Sequence, residues 1–160
     1  NAWTMAVNIA NSRPLGAGFV TDTPFIYQMY APNPDFVIVA HSIYFQILGQ
    51  HGYIGLFLYL LFWVLTYRTA GRLESLAKGK AELEWVQQLG AMFKVSLVGF
   101  AVGGAFLSLA YWDMPYYLMV VLVATELWVR QHLAEASDGA NGRPVGQRGS
   151  RMRATGNGTH

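Results

Sequence analysis

Cysteine is missing from all 160 residues, which excludes disulfides and thiolate metal sites and leaves the redox compartment undetermined. Charge is scarce too. Asp, Glu, Lys and Arg together make up 12% of the chain, about half the roughly 25% of ordinary soluble domains. No initiator Met opens the sequence and no signal-peptide pattern follows it. The first residues, Asn1-Ala-Trp-Thr-Met-Ala-Val-Asn8, read as the interior of a short helix, so the expectation is a C-terminal piece of a longer membrane protein. What is abundant is apolar: 53% hydrophobic residues, with nine Tyr, nine Phe and five Trp. Such a composition suits a protein that sits partly in lipid. The apolar residues gather in three blocks, separated by polar stretches too short to build an independent core.

Three spans are expected, in an all-α, polytopic fold. The first centres on Tyr53–Tyr67, which would rise only about 22 Å as a helix against a ~30 Å hydrocarbon core. It is therefore expected to start near Ile47 or earlier and to cover about 47–67. The second span is placed at 92–112 and the third at 115–130, with a turn at Asp113-Met-Pro between them. Tyr111, Trp112, Tyr116 and Tyr117 read as an interfacial belt around that turn. A loop at 68–91 joins the first two spans, and residues 51–133 form the membrane region. From Ala134 to His160 the chain turns to Ser, Asp, Gly, Asn and Arg, a composition expected to be disordered.

The basic residues set the orientation. Arg68, Arg72, Lys78, Lys80 and Lys94 lie in or beside the first connection, and Arg130, Arg143, Arg148, Arg151 and Arg153 follow the third span. Only Arg13 falls on the other side. The positive-inside rule makes the crowded face cytoplasmic. Residues 1–50, a segment of short helices and loop, and the Asp113 turn are then expected outside, in the periplasm if the cell is Gram-negative, and the tail inside. A multi-pass membrane protein in contact with its lipids is expected. In the tail, four arginines could meet anionic headgroups or simply be solvated, and Asn157-Gly-Thr has no evident use as a sequon on that side.

Within residues 1–50, Ala2–Ala10 reads as an amphipathic helix ended by Asn11-Ser-Arg-Pro. Leu15–Asp35 reads as turns interleaved with Phe19, Phe25, Tyr27 and Tyr30, either a loop on the membrane surface or a wall of a sugar cleft. Gly16-Ala-Gly18 lacks a third glycine and a preceding strand, so neither a nucleotide nor a nucleic-acid partner is expected.

His41 is the most chemical residue in the chain. On a helix continuing into the first span, Gly52 would lie eleven positions on, about 20° from the same face. Gly49, Gly52 and Gly55 recur every three residues and would let another helix approach closely. An imidazole at the end of such a seam could be held rigidly for catalysis. Equally, His41 and Ser42 could cap the helix at the interface, and spacing alone tilts slightly towards the cap. His51 would sit roughly 80° away from His41 on that helix, with no third ligand in view, so no metal site is expected. Asp22, Asp35 and Asp113 are the carboxylates available outside, able to orient an imidazole or to bind a sugar hydroxyl, though each also reads as a solvated loop acid. Glu126 inside the third span is explained by an i,i+4 pair with Arg130, and Lys94 by snorkelling.

The block Arg13-Pro-Leu-Gly-Ala-Gly-Phe19, followed by His41-Ser-Ile-Tyr-Phe-Gln-Ile-Leu-Gly-Gln-His-Gly-Tyr-Ile-Gly55, resembles the C-terminal half of the O-antigen ligase and polymerase superfamily. Tyr30-Ala-Pro-Asn-Pro-Asp35 is similar to the exosortase-associated O-glycosylation ligase branch. The resemblance covers residues 1 to about 130. It implies transfer of a glycan from undecaprenyl diphosphate to an acceptor hydroxyl at the outer face of the inner membrane. The acceptor would be lipid A–core or another glycan or protein. The family's functional His maps onto His41, as base or donor contact, without metal or cofactor. Arg13, Asp35, Ser42 and Tyr44 are the candidate substrate contacts. The arginines that stabilise the leaving diphosphate lie mostly upstream in that family, among further spans of the same protein, so residues 1–160 alone are not expected to make a complete, active site. A polymerase extending the repeat unit, and a non-catalytic scaffold or transporter subunit, are the alternatives.

Overall fold

Every regular element in the described residues is helical, and the order follows from where helix starters and breakers fall. The computed structural model describes residues 1–140. Helix α1 (Ala2–Ser12) buries Ala2, Met5, Ala6, Ile9 and Ala10, the i, i+3, i+4, i+7, i+8 stripe of an amphipathic helix. Helix α2 (Pro24–Tyr30) begins at a Thr-Pro start: Thr23 Oγ1 accepts a hydrogen bond from the Ile26 N–H at 3.3 Å, and Pro24 fills the first turn. This short helix stands where only turns were expected. Asn1 ties the start of α1 to the chain beyond α2, donating to the carbonyls of Asn33 (2.9 Å) and Phe36 (2.7 Å). The fully buried Tyr27 exchanges hydrogen bonds with the backbone of Ile38.

Helix α3 (Ile43–Ala77) is broken at Gly52, which takes φ 64°, ψ −164°, a region open essentially to glycine alone. The break is a fold-back rather than a gentle bend. Ile43 packs against Gly104 while Trp63 stacks on Phe100 at 5.0 Å. A continuous helix would hold residues 43 and 63 about 30 Å apart, far more than the one turn that separates Phe100 from Gly104. The arm 43–51 therefore returns alongside the long arm 53–77, and Ile43, Ile47, Tyr59, Trp63 and Phe100 share one cluster. The expectation of one helix entered at His41 or Ile47 is overturned.

A short 3-10 turn (Ala81–Leu83) leads into α4 (Glu84–Gly104). Gly79 at φ 78° and the Lys80 ammonium on the Leu76 carbonyl (2.7 Å) close the end of α3. The expected 68–91 loop is thus mostly helix, and the second apolar helix sits eight residues earlier at each end than 92–112. Charged residues at its ends hid helical continuity that local propensity favours. α4 runs antiparallel to α3, with Gly90 pressed against the Ala70 carbonyl and Glu74. Residues 105–113 form an irregular connection, longer than the turn expected at Asp113, and carry Tyr111 and Trp112 off the helices. The Asp113 carbonyl then starts α5 (Met114–Ala140) by accepting from the Tyr116 and Tyr117 N–H groups. α5 lies parallel to α3, since Phe62 meets Tyr116 and Arg72 meets Glu126. It extends through residues 134–140, which were expected to be disordered. The rest of that expected tail, with Arg143, Arg148, Arg151, Arg153 and the Asn157 sequon, lies outside the described residues.

Two of these helices, α3 and the stretch Ala81–Gly104, are long and apolar enough to cross a membrane. Between the long arms, Ala70, Leu73, Leu83, Val86, Leu122 and Val129 form the inter-helix core.

Candidate functional site

His41 sits just before α3, not on it. Ser42 is the cap residue, and His41 holds φ 43°, the only non-glycine residue with positive φ among those described. That left-handed conformation costs on the order of 1–2 kcal/mol for an L-residue and persists only where neighbours over-determine it. The neighbours are evident on both sides. Trp3 donates its indole N–H to the Ala40 carbonyl at 2.6 Å and stacks on Phe45 at 4.7 Å. Ser42, 2% exposed, starts α3 by accepting the Gln46 N–H at its carbonyl (2.9 Å), while its hydroxyl makes no cap bond. The imidazole itself is exposed.

Asp22 is the carboxylate within electrostatic reach of His41, with no hydrogen bond or ion pair between them. Burial raises the Asp22 carboxyl above its ordinary value of 3.8, and the nearby His41 charge pulls it back down. Asp22 also acts on buried Tyr27, whose phenol is raised mainly by burial. Asp22 also lines a cavity of ≈ 10 Å³ with Ala6, Thr21, Ala40, Gln46 and Gly49, where Gln46 Oε1 is buried without a hydrogen-bond partner. The space is too small for a sugar, so any large substrate must meet His41 from its exposed side.

The register that put His41 and Gly52 on one helical face does not exist, because the helix starts after His41 and breaks at Gly52. The two glycine-bearing blocks meet in another way. The loop from Pro14 to Gly18 lies across the break, with the Ala17 N–H on the Gly49 carbonyl and the Gly18 N–H on the Gln50 carbonyl, both at 3.0 Å. A Cβ on Gly52 would fall 1.9 Å from the Pro14 carbonyl oxygen, and one on Gly16 2.3 Å from the Gln50 carbonyl. Gly49 admits Ala6 of α1, and Gly55 admits the folded-back His51 side chain. The three glycines thus serve three different contacts rather than one inter-helix seam.

Of the other expected contacts, Arg13 caps the far end of α1, its guanidinium 5.9 Å over the Tyr30 ring. Trp3 and Arg13 are about 15 Å apart along that helix, so Arg13 does not join His41. Asp35 is exposed in the loop after α2, and the carboxylate that senses the His41 charge is Asp22 instead. Tyr44 turns away to donate to the Ala101 carbonyl at 2.8 Å.

A second constellation was not foreseen. Gln50 donates through Nε2 to the Phe19 carbonyl at 2.7 Å, so its Oε1 faces Tyr111 and accepts from that hydroxyl. With its one proton committed, the Tyr111 oxygen can only accept from His51 Nε2, 2.8 Å away. Burial, then Tyr116, raises the Tyr111 phenol, which keeps it a donor. The chain of bonds therefore fixes His51 with its proton on Nε2, and Phe19 packs edge-on against the ring at 4.9 Å. No spacing rule could have joined residues 19, 50, 51 and 111. Among the described residues no three His, Asp or Glu side chains converge.

At the opposite end of the bundle, Glu126 is 8% exposed and held by two arginines. Arg130 reaches it at 2.7 Å, as the i,i+4 spacing suggested, and Arg72 of α3 joins at 3.4 Å. Lys94 pairs with Glu74 at 2.7 Å instead of only snorkelling.

Among the described residues, fold and site together define an all-helical arrangement with two membrane-length helices and an exposed, strained histidine at the mouth of a folded-back helix. No family model, curated protein or solved structure matches the chain.

Proposed function

We propose that this chain carries the histidine end of an O-antigen ligase-type glycosyltransferase. It would move a glycan from undecaprenyl diphosphate to a periplasmic-side acceptor hydroxyl. The observation that carries the reading is His41: an exposed residue, locked in a left-handed backbone at the start of α3, with the Asp22 carboxyl within electrostatic reach. Strain of this kind gathers at functional sites, and an imidazole is the side chain best suited to take a proton as a general base. His41 accepts the acceptor's O–H proton, the acceptor oxygen bonds the sugar's anomeric carbon, and the bond from that carbon to the diphosphate oxygen breaks. The electron pair leaves with undecaprenyl diphosphate. Asp22 steadies the imidazolium that forms. Arg13 is the sole basic residue in 1–50 and lies away from His41, so residues beyond this site must neutralise the diphosphate.

The topology proposed with this reading is three crossings. The arm 53–77 runs inward, α4 returns over 21 residues, about 32 Å, and α5 runs inward parallel to α3. Residues 1–50 and 105–113 are then periplasmic, and the crowded Lys and Arg residues cytoplasmic. A periplasm-only reporter fused after Ala134 stays silent if this orientation holds, and activity there reverses it.

His41→Ala in the complete protein is expected to abolish transfer, by about a hundredfold or more for a lost general base, while membrane insertion is unchanged. The stranded product separates the chemistries: long chains left on the lipid carrier mean ligase, single repeats mean polymerase. Transfer that survives His41→Ala would remove the histidine from the mechanism.

A further inference from the structure

The end of the bundle remote from His41 contains a groove that the glycan-transfer reading does not use. Its volume is ≈ 580 Å³, and its walls include Tyr67, Arg68, Arg72, Ser75, Lys94 and Arg130. Four cations thus face one concavity drawn from three helices. Only two carboxylates answer them, since Glu126 serves both Arg72 and Arg130 while Glu74 serves Lys94. Among the described residues Arg68 has no ion pair. The Arg72 and Arg130 side chains remain 53% exposed despite their pairing, so guanidinium N–H groups are left over to meet an anion.

The surface leading away from the groove is apolar on both walls. On α3, Leu60 and Val64 share a face with Arg68, Gly71 and Ser75 by helical spacing. On α4, Val98 and Val102 follow Lys94 at one-turn steps. All four are exposed: Leu60 42%, Val64 53%, Val98 52% and Val102 62%. Because the helices are antiparallel, both stripes leave the basic groove in the same direction. A cationic pocket continued by two apolar tracks matches a molecule with an anionic head and hydrocarbon chains. A free phosphate would use the first feature and not the second.

We infer that the groove binds the headgroup of an anionic phospholipid, with the acyl chains lying along Leu60–Val64 and Val98–Val102. Arg68 and the outward N–H groups of Arg72 and Arg130 hold the phosphate oxygens, as basic pockets between membrane helices do. Tyr67, under the Lys94 ammonium at 5.7 Å, marks the level where head gives way to chain.

The test places the full chain in nanodiscs of phosphatidylcholine doped with phosphatidylglycerol and counts retained lipids by native mass spectrometry. Arg68→Glu leaves both carboxylate networks intact and is expected to weaken phosphatidylglycerol retention on the order of tenfold. Lys78→Glu, an equal charge change outside the groove, is expected to leave it within about twofold. Arg68→Lys should keep most of the binding, which separates lost charge from lost folding. Inorganic phosphate should displace the lipid only weakly. Equal losses in Arg68→Glu and Lys78→Glu, or equal retention of phosphatidylcholine, would overturn the site. Complete displacement by phosphate would replace the lipid with a soluble anion.

Discussion

The two ends of α3 solve the same packing problem with opposite chemistry. At the Gly52 end the chain is broken, and backbone holds it: the Gly49 and Gln50 carbonyls accept from the Ala17 and Gly18 N–H groups, and glycine fills each close approach. At the Arg72 end the helix is unbroken and side chains hold it, through Glu126 with Arg72 and Arg130, and Lys94 with Glu74. Backbone contacts at a glycine tolerate no added carbon. Ion pairs whose arginines stand half in solvent tolerate much more, because water and salt screen them from that side. The rigid end is the one that carries His41, and a site of fixed geometry belongs on such a frame. The ion-paired end keeps cations partly free, and that suits reversible contact with an anion.

The contrast breaks most visibly at Gly52. Gly52→Ala places a Cβ against the Pro14 carbonyl at 1.9 Å in a backbone region that costs a non-glycine residue about 1–3 kcal/mol before any clash. A loss of at least about 3 kcal/mol is expected, read as a collapse of the thermal transition in detergent. Glu126→Gln probes the other end. It leaves Arg72 and Arg130 unpaired but half in solvent, so the expected loss is about 1–2 kcal/mol, shrinking further at high salt. A Glu126→Gln effect as large as that of Gly52→Ala would erase the distinction between the ends.

Smaller still is Tyr111→Phe, which removes the hydroxyl between Gln50 and His51. About 1 kcal/mol of stability is expected to go. Nitrogen NMR of His51 should show its preference for a proton on Nε2 fading, and an unchanged tautomer would mean that Tyr111 does not set it. The faintest expected effect is on pH dependence. Asp22 binds its proton more tightly folded than unfolded, so its contribution to stability is greatest in acid. That contribution is lost as pH rises from 3.8 through the raised folded value. Asp22→Asn should remove that decline, flattening melting temperature across the mildly acidic range, and an unchanged slope would assign it to another group.

Much of the sequence reading survives where the signal is local. The stripe of α1, the Glu126–Arg130 pair and the apolar helices were legible because helical spacing carries them. Boundaries slipped where charged residues such as Arg72 and Glu84 continued helices past the apolar runs. The fold-back was hidden because Gly52 in an apolar run reads equally as a packing glycine or a break. Only the Pro14–Gly18 loop decides between them, and it lies more than thirty residues upstream. His41 was singled out for a register that the structure lacks, and it stands just before α3. Its distinction is the strained backbone, which spacing cannot show. The cluster of Phe19, Gln50, His51 and Tyr111 is a tertiary product throughout.

Everything at the His41 end depends on the arm 43–51 folding back so that Ile43 reaches Gly104. The absence of native cysteine makes that contact measurable without background, through the pair Ile43→Cys and Gly104→Cys. An ideal Cβ on Gly104 lies 3.1–3.2 Å from the Ile43 side-chain atoms Cγ1 and Cγ2, which brings the two Cβ atoms near the roughly 3.5–4.5 Å of a disulfide. Mild oxidation in membranes is expected to cross-link the pair rapidly and nearly completely, while Ile43→Cys alone stays reduced. Persistent free thiols in the double variant would mean a continuous helix through Gly52, and with it a different place for His41.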